Sequence, residues 1–74
     1  MTANPWNMPR REQEVLAGMV STGGCQKIVA SVLGISVKTV DTYLSRARIR
    51  MEVRTRIEAL LRWDRWVNQQ RERA

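Results

Sequence analysis

The sequence predicts an all-α domain of four helices, with the second and third joined as a helix-turn-helix. Apolar residues recur at helical spacing in four separate segments, Pro precedes the first and Gly separates the first three, and no run alternates with the period of two that marks a strand. Seventy-four residues leave room for one small domain. A chain of this size buries only about 60% of its unfolded surface, so it must pack efficiently or oligomerise.

The first helix is expected from Pro9, whose missing N–H costs nothing at a first helical position, to Thr22. It carries Val15, Leu16, Met19 and Val20 on its apolar side, holds Arg10, Arg11, Glu12 and Glu14 outside, and ends at Gly23-Gly24. The second, Cys25 to Leu33, has Ile28, Val29, Val32 and Leu33 as its apolar residues and leaves through Gly34, which suits a left-handed exit. Only Gly34, Ile35 and Ser36 intervene before the third helix, and a helix pair joined by so short a glycine-containing turn is a helix-turn-helix. Ser36 is a good N-cap for that third helix.

From Val37 to about Met51 the third helix places Val40, Leu44, Ala47 and Met51 in one stripe toward the core. Its opposite side carries Lys38, Thr42, Ser45, Arg46 and Ile49, a polar and basic face of the size a DNA major groove admits. Thr55-Arg56-Ile57-Glu58 is a capping box that starts the fourth helix. There Ile57, Leu60, Leu61 and Val67 are expected to face the core, with Ala59, Trp63 and Trp66 forming a second apolar strip on another side. The chain thus divides into an N-terminal arm (1–8), a helix-turn-helix domain with a C-terminal dimerisation helix (9–67) and a polar tail (68–74).

Charge separates the two halves. Residues 1–37 hold three basic and two acidic side chains and residues 38–74 hold ten and five, for a net charge of +6. Arg46, Arg48, Arg50, Arg54 and Arg56 have only Glu52 among them. A phosphate backbone is the commonest partner for such a cluster, a solvated helix face being the plainer reading.

With no His and one Cys there is no catalytic triad, Cys-His dyad, His/Cys zinc cluster or internal disulfide. Glu12 and Glu14 point to different helix faces, which argues against a paired-carboxylate site, so no catalytic residue, metal or cofactor is expected. The lone Cys25 reads as structural and suits a reducing compartment. Apolar runs are far shorter than the roughly 20 residues a membrane span needs. Met1 to Met8 lacks a basic region followed by an apolar run, so the start reads as genuine and the expected location is the cytoplasm.

The stretch from Met8 to about Leu61 resembles the DNA-binding domain of LuxR-type, or GerE-type, transcription regulators. The matching pieces are Arg11-Glu12 with Glu14-Val15-Leu16, Ala30 with Leu33-Gly34-Ile35-Ser36, Lys38-Thr39-Val40 with Thr42 and Leu44, and Val53 with Arg56, Glu58 and Ala59. Ser45-Arg46-Ala47-Arg48 after Gly34-Ile35-Ser36-Val37 is also similar to the promoter-reading domain of bacterial sigma factors, but the fourth helix opened by Thr55-Arg56-Ile57-Glu58-Ala59-Leu60 favours the LuxR type. In this chain Asp41 stands where that family usually has Lys, Glu52 where it has Gly, Pro9 where it has Thr, and Cys25 where it has a Ser cap.

The resemblance implies a bacterial or phage DNA-binding regulator whose third helix enters the major groove. It places Asp41, Thr42 and Ser45 at base-reading positions, sets Lys27, Lys38 and Thr39 on phosphates, and gives dimerisation to the fourth helix. Arg46 and Arg48 lie beside the reading helix and are expected to add phosphate contacts. The second strip, Ala59, Trp63 and Trp66 with Arg62 beside it, is expected to pair with its own copy in a homodimer, unless Trp6 and the arm fold back over it. The expected partners are double-stranded DNA, a second copy and, further, RNA polymerase or another regulator, with no membrane. The chain is expected to stand alone without a sensor domain. A module that keeps the fold but uses Trp63, Trp66 and the fourth helix to bind another protein is the second reading.

Overall fold

The computed structural model describes residues 4–73. Positions 1–3 of the expected arm and Ala74 of the expected tail lie outside the described residues. Four helices succeed one another without a strand among the described residues: α1 (Arg10–Ser21), α2 (Gln26–Leu33), α3 (Val37–Met51) and α4 (Arg56–Arg73). The fold is the expected all-α one; the bounds of α1, α2 and α3 and the start of α4 fall within about a residue of the expected ones, whereas α4 continues to Arg73 through the segment expected as a polar tail.

Three of the four helix ends share one device. After α1 the amide of Gly24 donates to the Met19 carbonyl (2.8 Å) and that of Gly23 to Val20 (3.3 Å). After α2 Ile35 donates to Ala30 (3.0 Å) and Gly34 to Ser31 (3.3 Å), and after α3 Val53 donates to Arg48 (3.3 Å) and Glu52 to Ile49 (3.1 Å). Each pair satisfies carbonyls the helix would otherwise strand, and each requires one residue in the left-handed region. Gly34 takes it at φ +67°, whereas Glu52 takes it at φ +57° with a side chain attached. The helix starts differ as well. Pro9 precedes α1 in an extended conformation without a side-chain cap, and Ser36 Oγ accepts from the Thr39 amide at the start of α3 (3.0 Å). At α4 the Thr55 hydroxyl accepts from the Glu58 amide (3.1 Å), while the Glu58 carboxylate accepts from the amide of Arg54, one residue earlier than Thr55 (3.2 Å).

The core is built around α3, whose Val40, Leu44, Ala47 and Met51 are all buried as the spacing predicts. Val15, Leu16 and Met19 of α1 close on it from one side and Val29 and Ala30 of α2 from another. Gly18 lets those two helices approach, since a β-carbon there would sit 3.1 Å from a Val29 methyl.

Three expectations for the core are corrected. Glu12, expected outside on α1, is buried, and its carboxylate accepts from Arg50 Nε at 2.8 Å, tying the start of α1 to the end of α3. On α2 the eight-residue helix turns Val29, Ala30 and Leu33 inward, toward Gly18 and α3, so Ile28 and Val32 are left exposed on the other side.

The third correction concerns α4. Ala59 (1% exposed) and Trp63 (6%) are buried in the core, while Ile57 (69%) and Leu61 (63%), expected there, face out. Leu60, Trp66 and Val67 lie partly buried against the core. The cause is the segment before α1. Trp6 packs against both Trp63 and Trp66, with ring centroids 6.4 and 5.9 Å away, and those two are 5.4 Å apart, so the three rings form a triangle. Asn4 holds the segment in a loop, accepting from the Met8 amide (2.7 Å) and donating to its carbonyl (3.1 Å), with Met8 itself buried. The arm covers the strip expected to meet a second subunit.

Candidate nucleic-acid interface

The site grows out of the turn between α2 and α3, where the two helix axes bend by 104°. That angle, set by Gly34 at the exit and Ser36 at the entry, lies within the range of a helix-turn-helix. It leaves one long side of α3 without any packing helix. On a wheel of about 100° per residue, Thr42 and Ile49 lie opposite the buried stripe, with Lys38, Ser45 and Arg46 flanking them. Lys38, Thr42, Arg46 and Ile49 are exposed and Ser45 is half-buried.

Each of these side chains is left with something to offer. Thr42 donates its hydroxyl to the Lys38 carbonyl (3.1 Å), which leaves an exposed side chain with a methyl and an acceptor oxygen to offer. Arg46 lies over the Tyr43 ring, 6.0 Å from its centroid, a contact that steadies the guanidinium while leaving it exposed. Lys27, in the first turn of α2, is likewise exposed. Thr39 contributes less to this face, because its hydroxyl is hydrogen-bonded to that of Ser36 (2.8 Å) as part of the cap.

Other expected site residues sit elsewhere. Arg48 is half-buried on the flank toward the α3–α4 turn, where Nη1 donates to the Val53 carbonyl (3.2 Å), so it braces the helix end. Asp41 lies on the same flank and pairs with Arg56, the first residue of α4, through Oδ1 and Nη2. Arg62 donates to the Met51 carbonyl (3.3 Å), and Ala59 and Trp63 are closed inside the chain, so of the four residues expected to meet a second copy only Trp66 and Arg62 retain accessible surface. A different apolar surface is open beside α4. Ile57, Leu60 and Leu61 line a groove of about 490 Å³ with Met19 and Val20 of α1, edged by Arg56 and Asp64.

Two residues of this surface escape the sequence pattern as site candidates. Ile49 registers there as the apolar exception on a polar face, two helical turns from Thr42. Arg56 registers only as part of a basic cluster, although a cation in the first turn of a helix opposes the macrodipole and therefore points to an acid elsewhere in the chain.

The family described as bacterial regulatory proteins, luxR family, matches residues 7–62, a span that holds α1, α2, α3 and the first two turns of α4. Among the curated proteins and among the solved structures, nothing matches.

Proposed function

This chain belongs to the luxR family of bacterial regulatory proteins, and from that premise we propose that it is a sequence-specific, double-stranded DNA-binding transcription regulator whose α3 lies in the major groove. The observation that carries this reading is the outward face of α3, exposed, polar and basic, and free of any packing helix because α2 leaves it at 104°. Lys27, Lys38 and Arg46 supply phosphate contacts. Thr42 and Ser45, with short side chains, read bases by close approach or through bridging waters, the Thr42 methyl suiting that of thymine. Such a protein works where the chromosome is, in the cytoplasm, and needs no catalytic group or cofactor.

We further propose that two copies pair through the Ile57 and Leu61 side of α4, not through the tryptophans. A two-fold pairing there would set two reading helices about one duplex turn, roughly 34 Å, apart, as an inverted-repeat operator requires. With Trp63 buried and Trp66 packed against Trp6, the tryptophans that favour a purely protein-binding module are engaged within the chain.

Selection of bound duplexes from a random pool tests the reading directly. A defined inverted repeat is the expected product, and its affinity should fall with salt at a log-log slope of about −5, for the contacts of Lys27, Lys38 and Arg46 in each of two paired chains. Recovery of a pool without consensus, bound with no slope, would remove DNA reading as the function.

A further inference from the structure

The pairing of Asp41 with Arg56 joins a residue in the second turn of α3 to the first residue of α4, fifteen positions away. Nothing local calls for it. At the start of α4 the dipole favours an acid, which Glu58 already supplies in the capping box, and a guanidinium there is on the unfavourable side. Lys38, three residues before Asp41 and better placed for a helical pair, makes no ion pair with it among the described residues. Both partners keep about half their surface, 51% for the Asp41 side chain and 41% for Arg56, so the carboxylate is held but not covered. Only Oδ1 meets Arg56, so Oδ2 keeps its capacity to accept, and Asp41 stands one helical turn before Ser45 on α3.

A bare carboxylate beside two phosphate backbones would be repelled, and a carboxylate fully wrapped by arginine could accept nothing. Half-neutralised and fixed in direction, it can accept from an amino group on a base edge, which in the major groove means the cytosine N4 amine or, less well matched, that of adenine. We infer that Arg56, outside the reading helix, is a positioning residue for base selection: it neutralises Asp41 and aims its free oxygen so that one position of each half-site is read as cytosine. This inference rests on the DNA-reading proposal and adds to it a residue and a base.

The experiment is duplex selection followed by titration of single-base variants of the selected site, with the parent chain, D41N, R56Q, R56K and the D41N/R56Q double variant, each checked for unchanged helical circular dichroism. The parent is expected to prefer cytosine at one position per half-site by tenfold or more. D41N should abolish or redirect that preference, adenine being the natural choice of an amide. R56Q should cut it to about threefold or less while other positions keep theirs, and R56K, which keeps the charge, should restore most of it. In the D41N background R56Q should change base preference no further, because its effect runs through the carboxylate.

Three results overturn the inference. In the first, D41N selects the parent's site unchanged, which means that Arg56 merely silences Asp41. In the second, R56Q weakens every duplex alike, with or without Asp41, which makes Arg56 an ordinary phosphate contact. A parent without any base preference defeats the DNA-reading proposal itself, and the inference falls with it; that failure shows in the parent alone, before any variant is compared.

Discussion

Helices α3 and α4 are of similar length and both amphipathic, yet they settle which side to bury in different ways. α3 has a single apolar stripe, so the spacing of Val40, Leu44, Ala47 and Met51 leaves one face to go inside. α4 has two apolar strips of comparable width, and its own periodicity does not rank them. Magnitudes do. A Trp ring buries about 150–250 Å², roughly 4–6 kcal/mol at 25 cal/mol per Å², against about 1.5–3 kcal/mol for an Ile or Leu. The Trp63 and Trp66 side therefore wins once something can cover it, and Trp6 and Met8 do so from more than fifty residues away. A helix with two eligible faces takes its orientation from a remote segment.

The most severe test of this contrast is to truncate one residue of each strip. Trp63→Ala should cost about 3–5 kcal/mol of stability, since it opens a cavity and ends two of the three tryptophan contacts. For a domain of this size, stable by roughly 4–11 kcal/mol at about 0.05–0.15 kcal/mol per residue, that approaches unfolding at working temperature. Leu61→Ala, on the exposed strip, should cost less than about 0.5 kcal/mol. Urea titration monitored by circular dichroism measures both. Equal losses would mean that the two faces of α4 are not distinguished in the way described.

A second test asks what the outward strip is for. Leu61→Asp should leave the urea midpoint almost where it was and still weaken binding to a two-half-site operator by tenfold or more, about 1.4 kcal/mol. Affinity for a single half-site should stay within about twofold. Sedimentation of the parent with operator DNA should show two chains per duplex, and the variant should show one. If both variant and parent assemble as pairs, Ile57 and Leu61 are not where the copies meet.

The same contrast explains how much is readable in the chain. The four helices, their caps and the whole inward stripe of α3 come from local rules, because capping, glycine turns and a single stripe are settled within a few residues of sequence. What escapes is non-local. Local pattern puts Glu12 outside because charge ordinarily is, and only Arg50, thirty-eight positions on, makes its burial tolerable. Asp41 is legible as unusual for its position, but its partner Arg56 is hidden among other arginines. Among the candidate DNA contacts, Lys27, Lys38, Thr42 and Arg46 are exposed, whereas Arg48 is drawn away by the Val53 carbonyl, a bond that exists only once the turn has formed.

Within α3 itself, two substitutions should separate affinity from selectivity, each by about 1 kcal/mol. Lys38→Ala should weaken binding to all duplexes alike and reduce the magnitude of the salt slope by about one. Thr42→Ala should leave the slope alone and alter the selected base at one position, since it removes a methyl and an acceptor from the middle of the outward face. Filter binding over a range of salt, with the selected site and a scrambled one, reads both effects. A changed slope with Thr42→Ala, or a changed consensus with Lys38→Ala, would exchange their roles.

The smallest effect is expected at the turn that leaves α3. Gly34 and Glu52 occupy equivalent left-handed positions, at φ +67° and +57°, after α2 and α3 respectively. A residue with a β-carbon is disfavoured there by about 1–2 kcal/mol relative to its right-handed alternative. The Glu52 side chain is exposed and belongs to none of the ion pairs among the described residues, so little would be lost with it. Glu52→Gly removes the steric cost but gives the unfolded chain more freedom, which takes back about 0.4–1 kcal/mol. The balance is a gain of about 0.5 kcal/mol, or about 2–4 °C in melting temperature for a domain of this size. Gly34→Ala should move the opposite way by about 1 kcal/mol or more, since it brings a β-carbon into the same conformation. Differential scanning calorimetry of the two variants against the parent gives the comparison, and a loss of stability in Glu52→Gly would show that the glutamate side chain supports this turn after all.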